Sequence, residues 1–200
     1  MKKTLPVILA VLLLFSCATA EDAVSSATLK IDRLPAVEPL DNGILVVFFS
    51  PDDTVRAAAY SIASALSADL FEIVPEEPYT ADDLNYFNRN ARSMTEMADR
   101  NARPAVSALP ESLDRYTAVF LGYPIWGGQA PKIISTFLEG VDLSGKTVIP
   151  FCTSNSSGIG SSDANLHSLA PDAAWQKGTR IPKGSTAEDI ILWAQELALE

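Results

Sequence analysis

The chain has 200 residues, 48% of them hydrophobic and 20% charged, with a formal net charge of −10. That length suits one domain with a full core and leaves too little for two comfortable ones. The acidity comes without any basic stripe, which excludes a nucleic-acid partner and reads as solubility.

The opening stretch MKKTLPVILAVLLLFSCATAED joins a dibasic start, Lys2-Lys3, to an apolar run from Leu5 to Phe15 and then to small residues. This is the pattern of an export signal over residues 1–20. The run is too short for a comfortable membrane span, which needs about 20 residues. Two cleavage readings stand. Leu14-Phe15-Ser16-Cys17 resembles a bacterial lipoprotein box, which would make Cys17 a lipidated membrane attachment, whereas Ala18-Thr19-Ala20 fits ordinary cleavage. The expected location is the cell envelope as a lipoprotein, or the periplasm or medium. Residues 21–42 are polar and acidic with Pro35 and Pro39, and read as a tether to a domain over 43–200.

From Gly43 onward apolar runs alternate with helical stretches. GILVVFFS (43–50) is apolar throughout and predicts a central parallel strand covered on both faces. Thr54 to Leu66 predicts an Ala-rich helix packing Tyr60, Ile62, Ala63 and Leu66. ADLFEIVP (68–75) predicts a second strand closed by proline, and 80–98 a polar helix capped at Thr80. TAVFLGYP (117–124) predicts a third strand, and Pro131 opens a helix to about Leu138. KTVIPFCT (146–153) predicts a fourth strand, 161–169 a short helix, and 175–181 a fifth strand at the edge. The last helix carries a capping box, Ser185-Thr186-Ala187-Glu188, and an apolar face of Ile190, Trp193, Ala194 and Leu197.

Five strands alternating with helices predict an open, doubly wound α/β sheet, which binds ligands at the carboxyl ends of its strands. Three loops lie there: 50–54, 123–131 and 153–162. In the second, Gly122-Tyr123-Pro124-Ile125-Trp126-Gly127-Gly128 sets an aromatic among glycines just beyond a buried strand. Trp126 there either offers a flat face to a planar ligand or acts as a lid on the sheet end. The third, Thr153-Ser154-Asn155-Ser156-Ser157-Gly158-Ile159-Gly160, is rich in NH and OH groups suited to a polar ring edge or a phosphate. Cys152 reads as a buried small hydrophobe and His167 as a surface residue; one available Cys and one His argue against zinc.

The stretches DLFEIVPEEPYTADDL, FLGYPIWGGQAP, TFLEG and GKTVIPFCTSNSSGIGSS together resemble the flavodoxin-like family of small FMN-binding proteins over about residues 43–200. The resemblance implies a five-stranded parallel sheet in the order 2-1-3-4-5 with FMN across the strand ends. It implies that Tyr123, Pro124, Ile125, Trp126, Gly127 and Gly128 line one side of the flavin ring, and that Thr153, Ser157, Gly158 and Gly160 wrap its other edge. Two departures stand out. The family's second loop usually has two adjacent tryptophans, and Gly127 replaces the second. Its first loop follows Ser-x-Thr-Gly-Asn-Thr, and here reads Ser50-Pro51-Asp52-Asp53-Thr54-Val55. Ser50, the one match, and Thr54 are the candidates left at the phosphate end.

Two aspartates stand where a phosphate with nearly two negative charges should bind. One carboxylate about 5 Å from one unit charge costs roughly 3 kcal/mol at an effective dielectric of ~20. Asp52 or Asp53 can instead cap the following helix, healing the phosphate site. The expected function is an exported, oxidoreductase-class electron-transfer protein holding FMN weakly. The alternative is a flavin-free module that uses the Trp126 cleft for another planar small molecule or a partner. No side chain presents itself as a catalytic acid or base, and nothing in the sequence names a redox partner.

Overall fold

Apolar runs without polar alternation must bury both faces, and the sheet uses them so. The computed structural model describes residues 43–198; the export-signal, lipoprotein-box and tether expectations fall outside them. The strands are β1 (Ile44–Phe48), β2 (Asp69–Glu72), β3 (Ala118–Pro124), β4 (Thr147–Thr153), β5 (Ala174–Trp175) and β6 (Thr179–Ile181). All their pairings are parallel, in the order β2-β1-β3-β4-β5, with β6 also on β4. This is the 2-1-3-4-5 doubly wound sheet. The helices are α1 (Thr54–Leu66), α2 (Arg92–Ala98), α3 (Lys132–Glu139) and α4 (Ala187–Ala198), with a 3-10 helix over Ala164–Leu169.

Alternate side chains feed two cores. Val47, Leu121, Val148 and Cys152 pack with Ile133, Ile134 and Phe137 of α3. Val46, Phe48, Phe120 and Phe151 pack with Ile62 of α1 and Ile190 and Ala194 of α4. Burial pushes the Cys152 thiol up to about 12, which leaves it protonated and inert as a nucleophile. In α1 the buried face is Val55, Ala58, Ala59, Ile62 and Ala63; Tyr60, expected on that face, is exposed and only meets Phe48 edge-on.

Four further expectations are corrected. The fifth strand is two pieces because Pro150 of β4 faces the break between them. Lys146 and Val148 accept from Ala174 and Gln176, so every second residue of β4 faces the edge, Pro150 included. Proline has no N–H to give, and the ladder stops there until Phe151–Thr153 pair with β6. The helix expected over 80–98 forms only over Arg92–Ala98. Asn85 and Asn88 accept the backbone N–H groups of Phe87 and Asn90, and such local bonds compete with helix. The capping box of α4 sits one residue later: Thr186 Oγ1 accepts from the Asp189 N–H, while Asp189 accepts from Thr186 N–H and Oγ1–H. His167 is half-buried, stacked on Trp175 at 4.6 Å, rather than on the surface.

Gly122 pairs with Phe48 on one side and Phe151 on the other. A Cβ there would lie 2.2 Å from the Phe151 ring, so this interior strand position must be glycine. Gly122→Ala is expected to cost roughly 2 kcal/mol, lowering the thermal midpoint by about 4–8 °C. The same change in a Phe151→Leu background should cost less, a coupling that a double-mutant cycle of melts would measure.

Candidate functional site

Parallel pairing brings the carboxyl ends of β1, β3 and β4 to one edge, and the three candidate loops meet there through Thr153. Its hydroxyl lies 3.1 Å from that of Thr54, and its carbonyl accepts from Ile125 N–H at 3.0 Å. Asn165 Nδ2, in the 3-10 helix that follows the third loop, donates to Gln129 Oε1 of the second loop at 2.6 Å.

In the first loop, Asp53 occupies the place of the family's glycine and keeps a left-handed backbone, φ 63°. Aspartate tolerates that conformation better than most residues. Its carboxylate, 77% exposed, makes no cap and pairs with Arg56, which also pairs with Glu72. Asp52 is the residue that caps: its Oδ1 accepts from Thr54 Oγ1–H at 2.8 Å and Thr54 N–H at 3.3 Å. Ser50, buried, accepts from Arg56 N–H at 3.0 Å. Two of the first amides of α1 are thus satisfied by the chain itself. Two carboxylates, Asp53 and Glu72, share one guanidinium at this end of the site, and Asp52 adds a third negative charge to the loop.

In the second loop Trp126 and Gln129 exchange backbone bonds of 2.9 and 3.0 Å around Gly127 (φ 55°) and Gly128 (φ 81°). This is a two-residue turn that needs positive φ at both central positions, which gives the glycines a folding reason. It also accounts for Gly127 where a second tryptophan would stand. Trp126 is half-buried, edge-on to Phe49 at 5.7 Å and to Tyr79 at 5.4 Å. Tyr123 is fully buried in the core with its hydroxyl 3.2 Å from Ser162 Oγ, so it supports the third loop from beneath rather than lining it. Pro124 is buried at the strand end, Ile125 half-buried, and both glycines are exposed.

The third loop keeps Ser157, Gly158 and Gly160 exposed and Thr153 half-buried at its root. Ser154 Oγ–H donates to the Ser157 carbonyl, and Arg180 reaches the carbonyls of Ser154 and Ser156 at 3.4 Å each.

Sequence reasoning missed Tyr79. Its ring packs on Trp126 and Phe49, lies under the Arg92 guanidinium at 4.2 Å, and its hydroxyl donates to Glu96 at 2.6 Å. Burial, then the Glu96 bond, holds its proton well beyond the ordinary tyrosine range. With Phe49, Ser50, Pro51, Glu72 and Ile73 it borders a cleft of about 150 Å³ beside the first loop. The available signal was an aromatic directly after Pro78, just past a strand end.

A flavodoxin family model matches residues 43–197. A candidate flavoprotein from Bacteroides eggerthii DSM 20697 is 41% identical over 78% of this chain and 98% of its own, with a TM-score of 0.72. One from Bacteroides uniformis ATCC 8492 is 39% identical over 76% and 97%, with a TM-score of 0.73. A flavoprotein in complex with FMN from Lactobacillus acidophilus NCFM shares the fold at 19% identity and a TM-score of 0.56, over 68% of this chain and 91% of its own. No curated protein matches. The chain belongs to the flavodoxin family, whose characteristic ligand is FMN.

The two ends of the site fit that ligand differently. The exposed turn at Gly127-Gly128, the adjoining Trp126 and the open third loop suit a flat ring with polar edges. The first loop does not fit a phosphate dianion. Its Ser50 hydroxyl oxygen and the amides of Thr54 and Arg56 are already engaged, and its unpaired charge is negative.

If the glycines serve the turn itself, Gly128→Ala should destabilise the protein with no flavin present, by about 1–2 kcal/mol for the left-handed backbone. Thermal unfolding of the flavin-free protein checks this. An unchanged melt assigns Gly128 to ligand approach instead.

Proposed function

We propose that this chain holds a flavin ring against the loops that follow β3 and β4, draws little affinity from the phosphate end, and serves electron transfer outside the cytoplasm. The observation that carries the reading is the meeting of all three loops at Thr153, 3.1 Å from Thr54 and bonded to Ile125. A bound flavin supplies the electron chemistry, and the protein supplies orientation and electrostatics. Trp126, braced by Phe49 and Tyr79, presents an ordered wall to the ring. Thr153 and the exposed residues Ser157, Gly158 and Gly160 offer hydrogen bonds to its polar edge.

The export part of the proposal rests on the apolar signal and Lys2-Lys3 without a twin arginine, which favours general secretion of an unfolded chain. Noncovalent FMN would not travel with such a chain and must be acquired outside.

FMN added to the purified protein should show fluorescence quenching. Asp52→Thr with Asp53→Gly should tighten FMN at least tenfold, about 1.4 kcal/mol. The double change removes the Asp52 cap, so its melt is measured in parallel. Unchanged affinity in a folded variant means the aspartates do not act on the ligand. Protein that ignores added flavin altogether returns the flavin-free binding module as the better description.

Protein recovered from its exported location should carry little FMN, read from its visible absorbance. Near-stoichiometric flavin there would make an ordinary flavodoxin the better account.

A further inference from the structure

We infer that the site selects a flavin without phosphate, of the riboflavin class, over FMN; this rests on the flavin reading above. A phosphate site at a helix start offers free amides and hydroxyl donors, because the ligand supplies the acceptors. Here the chain supplies acceptors of its own. Asp52 Oδ1 takes the Thr54 amide and hydroxyl, and the Ser50 hydroxyl oxygen takes the Arg56 amide. The nearby cation, Arg56, is shared between Asp53 and Glu72 and is already neutralised. An incoming phosphate would have to displace a tethered carboxylate and remain beside it.

The terminal hydroxyl of a ribityl chain meets the same groups on opposite terms. It carries no charge and brings a donor, and the rim of Asp52, Thr54 and Thr153 is rich in acceptors. Thr54 Oγ1 and Thr153 Oγ1, 3.1 Å apart, share one hydrogen between them and leave lone pairs for a polyol. The sugar end of a neutral flavin is therefore matched where the esterified end is repelled. Asp52 is the residue that sets the selectivity, and the exposed Asp53 adds to it.

Titration of the full chain with riboflavin and with FMN, followed by flavin fluorescence, tests the inference. Riboflavin should bind about tenfold more tightly than FMN, the ratio that about 1.4 kcal/mol gives. Raising ionic strength from about 0.01 M to about 1 M should tighten FMN by screening the repulsion and leave riboflavin unchanged. In the Asp52→Thr, Asp53→Gly variant the tenfold preference should be lost, and its persistence in a folded variant would overturn the inference. Equal affinities, FMN the tighter ligand, or FMN weakened by salt in the unaltered protein would each overturn the inference and leave the flavin reading standing. Quenching of neither flavin overturns both.

Discussion

Everything at the site follows from the parallel pairing of β1, β3 and β4. Phe48 pairs with Gly122, and the β3–β4 ladder runs on to Pro124 and Thr153. Three strands therefore end at one edge, and their loops are forced into contact across chain separations that no local interaction could bridge. The pairing is tight enough to dictate composition: at Gly122 the Phe151 ring fills the space of a side chain. At Pro150 the missing N–H breaks the next ladder and leaves β5 and β6 as separate pieces.

The loops at that edge differ in how their backbone polar groups are satisfied. At the first turn of α1 the helix amides are met from within, by Asp52 and Ser50. A helix N-terminus holds one anion comfortably, and here that anion is part of the chain. The second loop closes on itself through the turn at Gly127-Gly128, and the third rests on Arg180 and the Tyr123 hydroxyl below it. The second and third loops are thus braced from within, and the first carries negative charge at a helix start whose amides are already engaged.

Trp126 joins this edge to the rest of the molecule. Its contacts with Phe49 and Tyr79 continue into the Arg92–Glu96 pair of α2, so the short helix after β2 braces the aromatic wall. The segment 80–91 is held by isolated backbone turns and by its own Asn and Asp side chains rather than by a continuous helix ladder. The polar helix expected over 80–98 from a cap at Thr80 left out the local competition from Asn85 and Asn88.

What the amino-acid sequence determined by itself is the central sheet and its helical partners: unbroken apolar runs separated by helical stretches bury both faces of a parallel sheet, and the Ala-rich stretch after β1 packs on it as a helix. It also carried the acidic first loop, because charge is read directly from residue type. Tertiary structure decided the rest. Ser185-x-x-Glu188 and Thr186-x-x-Asp189 both satisfy a capping pattern, and the folded backbone forms the second. Tyr123 and Trp126 look alike as loop aromatics, yet the alternation at the end of β3 sends one into the core and leaves the other at the rim. Asp52 and Asp53 are adjacent and identical in chemistry, and the left-handed backbone at Asp53 turns its carboxylate to Arg56 while Asp52 caps the helix. Such choices depend on direction in space, which residue type and spacing do not encode until the strands are paired.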